Sequence, residues 1–279
     1  MKEKAYAKIN LFLNVIGKRF DGYHDLEMIM AALDLHDNLN FKKNDTGEII
    51  VTSNIQITKK PEDNIVYQVA KLLQEEFEVT KGVHIHIEKN IPIAGGLAGG
   101  SADAAATFRG LNRLWKLKLT KEDMVKISSN IGADIPFCIH NRLCIARGKG
   151  EDLFFLDRHF HAHVLLVNPN IQIHTKDVFE KLEEKNLAER KITNMTSAIY
   201  NDNYELAVRE LFNALEPISF KIAPEIHKIK NTLIDGGLRA VLMSGSGATV
   251  FALSKSKKKL EDIQSKMDKT YTMILTKVR

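Results

Sequence analysis

The segment Pro92-Ile-Ala-Gly-Gly-Leu-Ala-Gly-Gly-Ser101 constrains this chain more than any other stretch. Gly95, Gly96, Gly99 and Gly100 fall within six consecutive positions. Upstream, Val83, Ile85 and Ile87 alternate with His84, His86 and Glu88, the period of a half-buried strand. Downstream, the alanine-rich run Ser101–Trp115 predicts a helix. A strand, a glycine loop and a helix start therefore follow one another. Glycine permits positive φ and close backbone approach. A helix start presents unpaired N–H groups and the positive end of its dipole. Together they suit an anion such as a nucleotide pyrophosphate, and the Ser101 hydroxyl can add to a phosphate. A plain turn would not need four glycines with their backbone entropy. The loop is not a Walker A motif, because Ser101 stands where that motif places lysine. It is not a dinucleotide fingerprint, because Gly95-Gly96-Leu97 breaks the Gly-x-Gly spacing.

Around this loop the periodicities predict an α+β chain of two domains, 1–157 and 158–279. Ala7, Ile9, Leu11, Leu13 and Val15 alternate with Lys8, Asn10, Phe12 and Asn14, giving an opening strand with Lys8 and Asn10 on one face. Gly17 and Asp21-Gly22 mark a turn. Leu26–Leu35, Leu39–Phe41 and Ile49–Val51 read as separate strands. Asn64–Phe77 reads as a helix capped by Asp63 or Asn64. Thr120 and Asp123 resemble a capping box, with Gly132 ending that helix. Phe137–Ile139 and Leu143–Ala146 read as a hairpin around Asn141. The second domain reads as a strand at Val164–Val167, helices over 175–187, 193–200, 202–214 and 222–235, and strands at Leu238–Met243 and Thr249–Leu253. A polar helix over 256–268 and a strand at Tyr271–Val278 complete a split βαβ pattern.

The 279 residues carry 40 basic and 35 acidic side chains, a net charge of +5 that suits a phosphorylated small molecule as well as a nucleic acid. The densest basic group, Lys255 with Lys257, Lys258 and Lys259, reads as a solvated helix face, so no nucleic-acid partner is expected. Cys138 and Cys144 exclude a disulfide framework and fit a reducing cytoplasm. No apolar run reaches the ~18 residues of a membrane helix, and Lys2, Glu3, Lys4 and Lys8 exclude a signal-peptide core. His159, His161 and His163 alternate, but no further ligands accompany them, so no metal site is assigned. Several residues keep two readings. Asp134 is a turn carboxylate or a base projecting into a cleft; Lys8 is a solvated lysine or a partner for a carboxylate. Asn10 is a strand-edge polar residue or a ligand for hydroxyls. Tyr23 and His24 stack on and hydrogen-bond a base, or pack under their own loop. Thr175 caps a helix or binds a diphosphate.

The pattern Pro-x-x-x-Gly-Leu-x-Gly-Gly-Ser-Ala-Asp-Ala-Ala over 92–105 resembles the phosphate loop of the GHMP kinases. Ala7-Lys-Ile-Asn-Leu-Phe-Leu13 is similar to that family's opening strand, and Ser244-Gly-Ser-Gly-Ala-Thr249 to its C-terminal glycine motif. The resemblance implies a two-domain α+β fold, with a left-handed βαβ unit in the N-terminal domain and a ferredoxin-like C-terminal domain. It implies ATP, with Mg2+ carried mainly by its phosphates, on Pro92, Ile93, Ala94, Gly95, Gly96, Leu97, Ala98, Gly99, Gly100, Ser101 and Ala102. It makes Asp134 and Lys8 the catalytic pair. Lys8-Ile-Asn10, Asp21-Gly-Tyr-His24 and Ile131-Gly-Ala-Asp-Ile-Pro136 resemble the branch that phosphorylates the 2-hydroxyl of a CDP-linked methylerythritol in non-mevalonate isoprenoid synthesis. That branch implies Asn10, Tyr23, His24 and Thr175 on the acceptor. Ala98 stands where the family often has glycine, and Arg147-Gly-Lys-Gly-Glu151 departs from its usual turn. Another GHMP acceptor, or a relative that binds nucleotide without turnover, is the alternative.

Overall fold

The computed structural model describes residues 1–183 and 190–279. In chain order the first elements are β1 (Lys2–Lys18), β2 (His24–Asn44), β3 (Ile49–Ser53), α1 (Ile65–Glu76), β4 (Gly82–Glu88) and α2 (Gly99–Leu114). They are followed by α3 (Lys121–Ser128), α4 (Ile135–His140), β5 (Cys144–Gly148), β6 (Asp152–Phe155), β7 (His163–Asn168) and α5 (Thr175–Glu180). The remainder comprises α6 (Ile192–Tyr200), α7 (Tyr204–Arg209), β8 (Phe212–Asn213), α8 (Glu216–Ile222), α9 (Pro224–Asp235), β9 (Ala240–Met243), β10 (Val250–Ser254), α10 (Lys257–Lys266) and β11 (Thr272–Lys277). Two compact units emerge, each assembled from several chain segments. The first holds Met1–Ala7, Leu35–Ile93 and Ala98–Asn141; the second holds Lys8–Asp34, Ala94–Leu97 and Arg142–Arg279. Strands β1 and β2 contribute residues to both.

In the first unit, β4 pairs antiparallel with the end of β2 and parallel with β3, so β3, α1 and β4 form a β-α-β unit. Asn64 caps α1 by accepting the Val66 N–H, and Val66, Val69, Ala70 and Leu73 bury one stripe of that helix. The alanines of α2 and Gly110 leave room for close packing. A Cβ on Gly110 would stand 2.6 Å from the Phe41 ring. Thr120 and Asp123 form the expected capping box on α3. That helix ends at Ser128, ahead of Gly132.

Two expectations need correction here. Leu26–Leu35 and Leu39–Phe41 belong to one continuous strand, β2. The apparent break is His36-Asp37-Asn38, yet Asp37 is fully buried and accepts N–H groups from Asn90 and Ile91. A polar residue satisfied by tertiary partners does not interrupt a strand. Phe137–Ile139 is not the first arm of a hairpin; it lies in α4. Pro136 in the first turn suits a helix start, and Asn141 takes the left-handed cap position at φ 53. Ile135 through Ile139 are all buried, so no period separated helix from strand. The hairpin is instead β5 with β6.

In the second unit, β11-β7-β10-β9 form an antiparallel sheet. With β7 first in sequence, this is the 4-1-3-2 order of a ferredoxin-like β-α-β-β-α-β layout, as expected. Ile226, Ile229 and Leu233 of α9, and Leu260 and Ile263 of α10, are buried. The helix expected over 202–214 stops at Arg209, and β8 then pairs parallel with Phe12 and Leu13 of β1. Helix α8 was not foreseen. The helix expected over 175–187 is seen as α5 up to Glu180; its part at 184–187 lies outside the described residues.

Candidate active site

Within the first unit lie the start of α2 and the turn before α4. Ala98 is the N-cap residue of α2 at φ 56, in the left-handed region, and supplies no side-chain cap. Ala94 at φ 53 and Gly96 at φ 73 share that region. The first N–H groups of the sixteen-residue helix α2 thus lack a capping side chain, which leaves a site fitted to a phosphate. Gly132 lies beside it: a Cβ there would stand 3.9 Å from Ser101 Oγ. Two residues on, Asp134 occupies the N-cap position of α4, half-buried, and its side chain makes no cap hydrogen bond. Arg109 anchors this region, donating to the carbonyls of Cys138 and Lys4 and pairing with Glu3. Gly99 packs inward, since a Cβ on it would meet Ile91 Cγ2 and Lys89 Nζ at 3.1 Å each. Gly100 faces open space, with Ile65 Cγ2 at 4.0 Å as its nearest neighbour.

Within the second unit lie Lys8, Asn10, residues 94–97, Tyr23 of the turn between β1 and β2, and His24 at the start of β2. Both faces of β1 are covered around Lys8, which is only 5% exposed, so the solvated-lysine reading fails. Its Nζ donates to Asn10 Oδ1 at 2.8 Å, and Asn10 Nδ2 reaches Met28 Sδ at 3.2 Å. The Lys8 N–H bonds the Leu97 carbonyl, tying β1 to the glycine loop. The C-terminal glycine motif packs on the same loop. Ser244 Oγ donates to the Gly96 carbonyl at 2.9 Å, and the Thr249 N–H to that of Gly95. Asn213, buried on β8, donates to the carbonyls of Met243 and Gly245 and so fixes the motif.

Tyr23 is 60% exposed, not packed beneath its loop, and Lys149 Nζ sits 4.8 Å from its ring centroid. His24 stacks on Phe179 with ring centroids 5.2 Å apart. Burial, with Lys18 nearby, holds the His24 imidazole below its usual range and therefore neutral at physiological pH. Thr175 does not cap α5; His174 holds that position, and Thr175 Oγ1 lies 2.9 Å from Ser246 Oγ. His159 and His161 stack on each other. Sequence reasoning missed Phe179, Asn213 and the buried group of Lys89, Asp37 and Asp103. Only Asp103 had a visible signal, as the acidic residue within the Ser-Ala-Asp-Ala-Ala run.

A family model described as the GHMP kinases N terminal domain matches residues 64–142, and one described as GHMP kinases C terminal matches 195–272. The chain belongs to the GHMP kinase family, with the two-domain α+β fold of that family. Within it, the 4-diphosphocytidyl-2-C-methyl-D-erythritol kinase of Bacillus pumilus is 43% identical over 261 residues, covering 94% of this chain and 90% of that protein. The kinase of the same name from Brevibacillus brevis is 41% identical, covering 93% and 89%. A crystal structure of 4-(cytidine 5'-diphospho)-2C-methyl-D-erythritol kinase aligns over 100% of both chains, with a TM-score of 0.83 and 27% identity. A crystal structure of L. major mevalonate kinase in complex with R-mevalonate shares the fold at a TM-score of 0.76 and 17% identity, covering 100% of this chain and 96% of that one.

Proposed function

We infer that this protein is an ATP-dependent kinase that phosphorylates the 2-hydroxyl of 4-diphosphocytidyl-2-C-methyl-D-erythritol, in non-mevalonate isoprenoid precursor synthesis. The identity of about 42% to kinases of that name over 94% of the chain carries the acceptor assignment. The uncapped start of α2 supports ATP on Pro92–Ala102, with Ser101 toward a phosphate. In this reading the acceptor oxygen attacks the γ-phosphorus, its proton passes to the Asp134 carboxylate, and ADP departs. Lys8 supplies positive charge, and its bond to Asn10 orients both side chains. Mg2+ travels with the ATP phosphates, and no protein ligand is assigned to it. The sequence division at 157 and 158 is proposed on the family models, which fall on either side of it; the compact units cut the chain differently, with Lys8–Asp34 and Ala94–Leu97 joining Arg142–Arg279. Buried free thiols at Cys138 and Cys144 support a reducing cytoplasm. Among the described residues no helix is long and apolar enough to cross a membrane. The test is ATP turnover with the CDP-linked acceptor beside homoserine and mevalonate; preferential use of either of the latter would overturn the acceptor assignment.

Two variants probe the two ligands separately. Gly100→Ala adds a methyl to open space on the first turn of α2, where alanine favours a helix over glycine by ~0.5–1 kcal/mol. Thermal stability is expected to hold or rise. If ATP phosphate meets backbone there, ATP affinity falls about tenfold, the scale of one hydrogen bond to a charged group at ~1.5 kcal/mol. Unchanged ATP affinity by calorimetry would move the nucleotide elsewhere. Tyr23→Ala is expected to cost ~1–3 kcal/mol in acceptor binding, the range for base–aromatic stacking. Stacking alone does not separate cytosine from uracil. Neutral His24 and its neighbouring backbone would have to match the cytosine edge, so the CDP-linked acceptor is expected to beat the UDP-linked one in kcat/KM. Equal use of both bases would sink the cytidine reading while leaving the kinase reading standing.

A further inference from the structure

A buried charge cluster lies beneath the first turn of α2. Lys89, three residues before Pro92, places its ammonium 2.6 Å from Asp37 Oδ2 and 2.6 Å from Asp103 Oδ2. The three side chains are at most 3% exposed. Asp37 is satisfied, because its Oδ1 also accepts the Asn90 and Ile91 N–H groups. Asp103 is not: its Oδ1 is buried with no hydrogen-bond partner. A Cβ on Gly99 would stand 3.1 Å from Lys89 Nζ, so the cluster touches the residue that opens α2.

One ammonium and two carboxylates sum to a net charge of −1. That charge would sit under a helix start otherwise suited to anions, and the orphan Oδ1 would bear part of it without a donor. Buried ionised oxygens are costly, and one proton on Asp103, with Asp37 as its hydrogen-bond partner, makes the cluster neutral. We propose that Asp103 is a positioning residue whose protonation neutralises the Lys89–Asp37–Asp103 cluster and thereby strengthens nucleotide binding at the glycine loop. This rests on the reading that ATP occupies that loop.

The charged groups facing Asp103 are Lys89, from the β4–α2 connection, and Asp37, from β2. Burial and the Asp37 charge push the Asp103 carboxyl up to about 7, against the pull of Lys89. The sign follows. Below that pH the cluster is neutral; as pH rises through it the cluster gains a negative charge that opposes the phosphates. By linkage, nucleotide in turn raises the proton affinity of Asp103.

The experiment is calorimetric titration with Mg-ADP at pH 5.5 to 8.5, in two buffers of different ionisation enthalpy, for wild type and Asp103→Asn. The nucleotide's own protonation is common to both proteins and cancels in the comparison. Between pH 6 and 8 the wild-type Kd is expected to rise about two- to sixfold more than that of Asp103→Asn, the part expressed over that range of the effect of one added charge at about 10 Å screened by an effective dielectric of ~20 to 50. Wild type is also expected to take up extra protons on binding near pH 7. Matching pH profiles and matching proton uptake would overturn the proposal. Infrared difference spectra of wild type decide the matter even if the variant does not fold: ADP added at pH 8 should produce a protonated-carboxyl band, and its absence would count against the proposal. Gly100→Ala, titrated alongside, reports on the loop reading by itself. Loss of ADP affinity there, with identical profiles for wild type and Asp103→Asn, would retain the loop reading and reject the proton linkage.

Discussion

Asp134→Asn is expected to lower kcat by at least ~10²-fold, the usual scale of general acid–base help, while the KM values for ATP and acceptor change little. The substitution suits the test. Asp134 stands at the N-cap position of α4 without a side-chain cap bond, so asparagine forfeits no capping energy. Helix α4 is held instead by its buried stripe Ile135–Ile139 and by Arg109 on the Cys138 carbonyl, neither of which the change touches. The amide keeps the shape and removes the proposed proton acceptor. Single-turnover measurement separates chemistry from product release, and thermal melting checks that the unit is intact. Near-normal kcat in a folded variant would remove Asp134 from the catalytic role. A fall in kcat with an equal fall in stability would mark it as structural.

Lys8 shows how much of such a site can be read without coordinates. Its alternation with Ala7 and Ile9 placed it on a strand face beside Asn10, and that placement holds. The alternation said nothing about what covers that face. Lys8, Asn10 and Asn14 are all buried because elements distant in sequence close over both sides of β1. The same limit explains Asp37, which looked like a strand break and is a strand interior neutralised by Lys89. It also explains α4, whose uniformly buried residues erase the period that distinguishes helix from strand. Features closed by short-range bonds were legible: Asn64 capping α1, the Thr120–Asp123 box, and the alternation of β4. Tyr23 and His24 were legible as residue types, whereas the stacking of His24 on Phe179 joins residues far apart in sequence and left no local mark.

Gly96→Ala is expected to be far more damaging than Gly100→Ala, although both lie in the same glycine run. From sequence the four glycines looked like one device for admitting phosphate. In the fold they divide by what a side chain would meet. Gly96 takes φ +73, where an L-residue pays ~1–2 kcal/mol. A Cβ there would stand 2.1 Å from the Ser244 carbonyl oxygen and 2.9 Å from that of Gly247. Both obstacles are backbone in a motif that Asn213 and Ser219 clamp by hydrogen bonds, so neither can move aside cheaply. The Ser244 hydroxyl bond to the Gly96 carbonyl would be lost as the loop withdrew. Strain, clash and lost bond together predict a destabilisation of ~3–5 kcal/mol, in the range reserved for core disruptions. Denaturant melts of the two variants test this. A Gly96→Ala protein as stable as Gly100→Ala would mean that the loop does not seat on residues 244–247. If the order holds, Gly96 joins the two glycine motifs within the second unit, and Gly100 is left as the position where the loop's opening toward a phosphate can be tested without disturbing the fold.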